Sequence, residues 1–100
     1  MIFIYVVCAS KTEANKIAEA CVEKKLAACA NMFPIQSIHR WEGKIEKSSE
    51  HVILMKSVQK NFTRVKTLVK KMHSYEVPCV TSWKAEVTDP TYLKWVKKNT

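Results

Sequence analysis

The side chains best suited to bind a metal ion or act as nucleophiles are four cysteines and three histidines. No two cysteines form a C-x-x-C pair, and no H-E-x-x-H helix motif is present, so common zinc motifs are excluded. The chain also lacks a G-x-S-x-G motif and a P-loop. We therefore predict that the protein is not an enzyme. The four cysteines are Cys8, Cys21, Cys29 and Cys79, which we expect to be free thiols in a reducing cytosol.

The length of 100 residues predicts one domain, residues 1–100, with a substantial core because 47% of the residues are hydrophobic. A single glycine and three prolines argue against disorder. No apolar run reaches the ~18 residues of a membrane span. The apolar start, Ile2–Cys8, lacks a basic leader and a cleavage site, so it indicates a buried strand rather than a signal peptide. We therefore expect a cytoplasmic protein without a membrane partner.

The formal net charge is +8, and the lysines are concentrated in segments 24–25, 60–71 and 94–98. A basic protein can bind nucleic acid, or its lysines can simply occupy the solvated faces of helices. We favour solvated faces, because no aromatic side chains alternate with these lysines as a base-stacking surface requires. We therefore expect no nucleic-acid partner.

The first half of the chain predicts a strand, a helix and a long hairpin. Ile2–Cys8 is the first strand, and Ser10–Glu13 has the S-x-x-E form of a capping box that starts a helix ending near Lys25. Its apolar stripe is Ala14, Ile17, Ala18, Cys21 and Val22. We predict the second strand at 26–32, a bend or bulge at Pro34 and a continuation of the strand over 35–41. A turn at Glu42-Gly43 should lead into a third strand from Lys44, with a loop or bulge at 47–50 and a central strand at 52–55.

The second half predicts a helix, a strand and a short final helix. Ser57 is a candidate N-cap for the second helix, which must end before Pro78. Its apolar stripe is Phe62, Val65, Leu68, Val69 and Met72. Val77–Val87 indicates the fourth strand, and Asp89-Pro90 is typical of the start of a helix.

This order of elements predicts an α+β, ferredoxin-like βαββαβ sandwich with an extended β-hairpin and a short C-terminal helix. Two helices should cover one face of an antiparallel sheet. The other face would have only the short last helix to cover its apolar residues, so we expect the chain to associate with copies of itself.

Several segments in order resemble CutA, the divalent-cation tolerance family. They include Cys8-Ala9-Ser10, Ala27-Ala28-Cys29-Ala30-Asn31, Ser37-Ile38, Arg40-Trp41-Glu42-Gly43-Lys44-Ile45-Glu46, His73-Ser74-Tyr75-Glu76-Val77-Pro78 and Tyr92-Leu93-Lys94-Trp95. The resemblance implies a homotrimer related in architecture to the PII signalling proteins. It also implies a role in tolerance of copper and other divalent metals, with copper as a possible ligand.

The resemblance implies metal ligands at Cys8 and His73. Met72 and Cys79 stand where members of the family have other residues, and they are weaker candidates because of their own sulfur atoms. Thiolate and thioether donors suit Cu(I), and imidazole suits both copper oxidation states. Each residue also has a structural alternative: Cys8 can be a small core residue, and His73 can cap the end of a helix. Met72 continues the apolar stripe of its helix, which favours core packing.

Three further residues, Trp41, Tyr75 and Glu76, are candidates for a pocket or interface between subunits. Trp41 can stack on a ligand or anchor a neighbouring chain, because aromatic residues are enriched in the cores of interfaces. The first functional hypothesis is a cytoplasmic, copper-binding trimer of metal tolerance. The alternative is a PII-like signalling or scaffolding trimer that holds a small molecule or a protein partner in the cleft between subunits.

Overall fold

The computed structural model describes all residues from Met1 to Thr100. Four strands form one antiparallel sheet in the order β2-β3-β1-β4. The strands are β1 (Ile2–Cys8), β2 (Cys29–Trp41), β3 (Lys44–Ser57) and β4 (Val80–Lys84), and the helices are α1 (Lys11–Glu23), α2 (Phe62–Met72) and α3 (Pro90–Lys98). The ferredoxin-like prediction is confirmed. No helix is both long enough and apolar enough to cross a membrane.

One face of the sheet, here called the helical face, carries the core. Alternate residues of β1, from Ile2 to Cys8, are buried there against α1 and α2. The partners of Ile4 and Val6 on β3 are Met55 and Ile53, which belong to the same core. From the helices, this core takes Ala14, Ile17, Ala18, Cys21, Val65 and Val69. Val22, which we predicted in the α1 stripe, is exposed instead.

The opposite face of the sheet, here called the open face, is only partly covered. Helix α3 contacts β3, buries Val96 completely and places Tyr92 beside Phe3 and Trp83. These last two residues are cross-strand neighbours with ring centroids 5.6 Å apart. Beyond α3, the open face is bare along the hairpin.

The β2–β3 hairpin is more regular than the sequence suggested. Its register runs without interruption from Cys29 opposite Lys56 to Trp41 opposite Lys44. The predicted interruption of the strand by a bulge at Pro34 is therefore wrong, as is the loop or bulge at 47–50. Proline fits because β2 is an edge strand, where a missing N–H can face away from the ladder. The end of this hairpin, residues 35–50, is here called the arm.

Three predicted boundaries also differ from the structure. The second strand begins at Cys29 rather than Leu26. Ser57 does not cap a helix: it ends β3, and its buried hydroxyl donates to the carbonyl of Leu26, while α2 begins at Phe62 after a 3-10 turn. The fourth strand covers Val80–Lys84 only, because the flanking Val77 and Val87 are exposed and unpaired with β1.

The predicted caps and turn have the expected geometry. Ser10 Oγ accepts a hydrogen bond from the amide of Glu13, and a carboxylate oxygen of Asp89 accepts one from the amide of Tyr92. At the tip of the arm, Glu42 and Gly43 have φ values of 49° and 78°. Positive φ at both central residues is the requirement of a type I′ turn.

We predict that Gly43→Ala loosens the tip of the arm. A Cβ at this position would meet no atom within 4 Å, so the cost is backbone strain at positive φ, about 1 kcal/mol. Amide hydrogen exchange at Trp41 and Lys44 should accelerate about fivefold. Glu42→Asn should slow the same exchange, because asparagine tolerates the left-handed region better than glutamate. Unchanged exchange in both variants would contradict this account of the turn.

Candidate functional site

Three potential metal donors meet where β1, α1 and α2 end or begin. The Cys8 thiol, the Glu13 carboxylate and the His73 imidazole each place a donor atom within 4.8 Å of the other two. Cys8 is the last residue of β1, Glu13 lies in the first turn of α1, and His73 is the C-cap of α2. These residues are here called the donor cluster. The structure thus brings together Cys8 and His73, the two main predicted ligands.

Glu13 joins the start of α1 to the segment that follows α2. Its Oε1 accepts a hydrogen bond of 3.0 Å from the amide of Ala9, and its Oε2 accepts one of 2.9 Å from the amide of Ser74. The capping box suggested a local role for Glu13, but the bond to Ser74 is a tertiary contact. Sequence reasoning therefore missed Glu13 as a site residue, although the S-x-x-E pattern just after the first strand was a usable signal.

The hydrogen bonds of His73 define its tautomer. Its Nε2 lies 2.7 Å from the carbonyl oxygen of Val7, which can only accept, so Nε2 carries the proton. Its Nδ1 accepts a hydrogen bond of 3.0 Å from the amide of Tyr75. The side chain is fully buried, and Nε2 is also 3.6 Å from Oε1 of Glu13. Both ring nitrogens are therefore in use, and a metal ion must replace one of these bonds.

The protonation states of the cluster also affect metal binding. Burial, together with the charges of Glu13 and Glu50, raises the pKa of the Cys8 thiol to about 12. Burial would raise the pKa of Glu13, but hydrogen bonds from Ser74 and Ala9 and the proximity of His73 outweigh it and lower that pKa. At neutral pH the cluster thus holds a thiol and a carboxylate, and a metal must displace the thiol proton.

The two weaker candidates lie outside the donor cluster. Met72 ends α2 and is 38% exposed, so the prediction that it packs in the core is wrong: the helix turns its last apolar position toward solvent. Cys79 is exposed and lies directly before β4, at the opposite end of the 73–79 segment from His73. The Cys79 residue is exposed overall but its thiol is partly buried, and this partial burial, followed by the charge of Glu50, raises the pKa of the thiol.

Trp41, Tyr75 and Glu76 line one groove of about 1080 Å³ on the open face, between the arm and the 74–79 segment. At its base the Tyr75 hydroxyl donates to Oε2 of Glu50 over 2.6 Å. Burial and this bond raise the pKa of Tyr75. Sequence reasoning did not single out Glu50, because its partner is 25 residues away in the chain.

The groove and the donor cluster are neighbours. The rings of His73 and Tyr75 have centroids 4.9 Å apart, and the Tyr75 amide donates to the His73 ring. The 73–79 segment thus contributes an imidazole to one site and a phenol to the other.

Comparison with known proteins identifies the relatives of this chain. Residues 2–99 match the sequence model of the CutA1 divalent ion tolerance protein family. The divalent-cation tolerance protein CutA of Archaeoglobus fulgidus is 44% identical over 94 residues, which cover 94% of this chain and 92% of that protein. A CutA homolog of Xenopus laevis is 42% identical over 92% of this chain, but this match spans only 62% of the frog protein.

A solved structure shows the same relationship in three dimensions. The periplasmic divalent cation tolerance protein CutA from Archaeoglobus fulgidus superposes with a TM-score of 0.96 and 42% identity, covering 99% of this chain and 98% of that one. On the sequence match, the fold and the ordered motifs together, the chain belongs to the CutA1 divalent ion tolerance family.

Proposed function

We propose that this protein acts in tolerance of divalent metals as a homotrimer and binds copper at the donor cluster. The observation that supports this proposal is the convergence of a thiol, an imidazole and a carboxylate from three separate elements within 4.8 Å. The relatives named for divalent-cation tolerance support the same role.

The donor set fits copper chemically. A thiolate from Cys8 and the imidazole of His73 suit Cu(I), and the carboxylate of Glu13 adds a harder oxygen donor that suits Cu(II). Copper is here a bound cargo and not a catalyst, and we propose no reaction for the protein. Loading requires Cys8 to lose its proton and His73 to release the carbonyl of Val7 or the amide of Tyr75. The apparent affinity should therefore increase with pH.

A trimer is supported by the exposed apolar residues of the arm. Ile38 is 71% exposed and Ile45 is 58% exposed, while Trp41 is half-exposed. The arm makes the subunit elongated, 45 × 25 × 20 Å, and its residues 38–47 are all exposed. Apolar side chains on a projecting hairpin are typical of an interface. The number of three copies comes from the family resemblance.

A cytoplasmic location is the final part of the proposal. All four cysteines are free thiols, which suits a reducing compartment. The Archaeoglobus relative is described as periplasmic, so fractionation of cells is the direct measurement.

We predict that the double variant Cys8→Ser/His73→Gln binds Cu(I) at least about tenfold more weakly than the wild type. Each substitution removes one of the two nitrogen and sulfur donors of the cluster. Competition with a chromophoric Cu(I) chelator measures the affinity, and circular dichroism checks that the variant is folded.

The matched control is Met72→Leu/Cys79→Ser, which removes the two weaker candidate ligands, both of them outside the cluster. It should bind copper like the wild type. If the control lost copper binding while Cys8→Ser/His73→Gln kept it, the copper site would lie outside the donor cluster.

We predict that sedimentation equilibrium at micromolar concentration gives three times the subunit mass. Ile38→Arg/Ile45→Arg should shift the protein toward smaller species, because each arginine places a charge in the proposed apolar contact. Lys70→Arg on the exposed side of α2 serves as the control. A wild-type protein that sediments as a single subunit would refute the trimer.

A further inference from the structure

Two side chains of the donor cluster also hold the start of the segment that follows α2. Nδ1 of His73 accepts a hydrogen bond of 3.0 Å from the amide of Tyr75, and Oε2 of Glu13 accepts one of 2.9 Å from the amide of Ser74. Both tethered residues, Ser74 and Tyr75, are exposed, so these two bonds rather than burial fix their backbone. Metal binding and tethering of this segment therefore involve the same two side chains.

The bond from the Tyr75 amide cannot persist when a neutral imidazole binds a metal ion. The ring of His73 has one N–H hydrogen, which is on Nε2 because this atom lies 2.7 Å from the carbonyl oxygen of Val7. A metal ion on Nδ1 would occupy the lone pair that the Tyr75 amide uses. A metal ion on Nε2 would send the ring hydrogen to Nδ1, where it would face the hydrogen of the same amide. The amide of Tyr75 is therefore released whichever ring nitrogen binds.

The side chain of Tyr75 is anchored at the base of the arm. Its hydroxyl donates over 2.6 Å to Oε2 of Glu50, which is only 9% exposed and is paired with Ile35 across the hairpin. Tyr75 is thus held at two ends, by its amide at the donor cluster and by its phenol at the arm. Hydrogen bonds that share a residue in this way support one another, so release of the amide weakens the bond to Glu50.

We propose that Tyr75 is a positioning residue that limits the copper affinity of the donor cluster. Its anchor on Glu50 keeps its amide on Nδ1 of His73, and this arrangement opposes metal binding by the imidazole. The inference rests on the proposed binding of copper at the donor cluster. Because coupling between two events is reciprocal, copper loosens the bond between Tyr75 and Glu50 by the same factor by which that bond weakens copper binding.

The variant Tyr75→Phe tests this coupling, because it removes the bond to Glu50 and keeps the backbone amide. Its affinity for Cu(I) should increase at least about threefold, since the lost bond to a carboxylate stabilises the metal-free form more than the loaded form. A purely structural role would have the opposite sign, because a less ordered site binds more weakly. Competition with a chromophoric Cu(I) chelator measures the affinity. The matched control Tyr92→Phe removes a hydroxyl from α3 and should bind like the wild type.

A double-mutant cycle isolates the bond itself. Glu50→Ala should also bind Cu(I) more tightly, partly because the charge of Glu50 no longer opposes loss of the Cys8 proton. Adding Tyr75→Phe to Glu50→Ala should have no further effect, because the bond that it removes is already absent. Circular dichroism checks that each variant is folded.

Amide hydrogen exchange, followed by NMR, reports the release of the tether directly. In the wild type, exchange of the Tyr75 amide should become at least about tenfold faster when Cu(I) is bound. The amide of Tyr92, which donates to Asp89 at the start of α3, is the internal control and should not change.

Equal or weaker Cu(I) binding by Tyr75→Phe would overturn the proposal, and so would exchange of the Tyr75 amide that does not respond to Cu(I). If copper binding still depended on Cys8 and His73 in these experiments, the proposed copper site would stand without the coupling. If Cys8→Ser/His73→Gln instead kept the wild-type affinity, the copper site itself would be wrong, and the role of Tyr75 would be rejected with it.

Discussion

The pairing of β1 on both of its edges is the constraint on which the rest of the structure depends. β1 pairs with β3 on one side and with β4 on the other, so its backbone position is fixed by two ladders. Its side chains anchor the core on the helical face, and its last two residues supply the carbonyl of Val7 and the thiol of Cys8 to the donor cluster. A site at the end of such a strand is built on a rigid element, which favours defined donor geometry.

The segment after α2 also determines the geometry of the sites, because it contacts both the donor cluster and the groove. Ser74 and Tyr75 bind Glu13 and His73 through their backbone amides, while the Tyr75 side chain binds Glu50 on the open face. The same short stretch therefore holds the imidazole in one tautomer and orients the phenol over the groove. A ligand that displaces the Tyr75 amide from His73 therefore also disturbs the position of the Tyr75 side chain, which lines the groove.

Local patterns in the sequence predicted the elements that depend on local physics. The alternation in Ile2–Cys8, the caps at Ser10 and Asp89 and the turn at Glu42-Gly43 require only neighbouring residues, and all are confirmed. The errors at Pro34 and at 47–50 arose because strand pairing is a tertiary property. Proline is tolerated because β2 lies at the edge of the sheet. The polar residues at 47–50 remain part of β3 because each is paired with a residue of β2. The roles of Glu13 and Glu50 depend on contacts 61 and 25 residues away, which no local pattern reveals.

The position of Pro34 has a consequence for solubility. β2 is a 13-residue edge strand, and a long open edge can recruit a strand from another molecule and start a fibril. Proline near the middle of this edge cannot supply a backbone donor there, so an incoming strand could not form a continuous ladder along it. The residue that seemed to break the strand instead protects its free side from uncontrolled polymerisation.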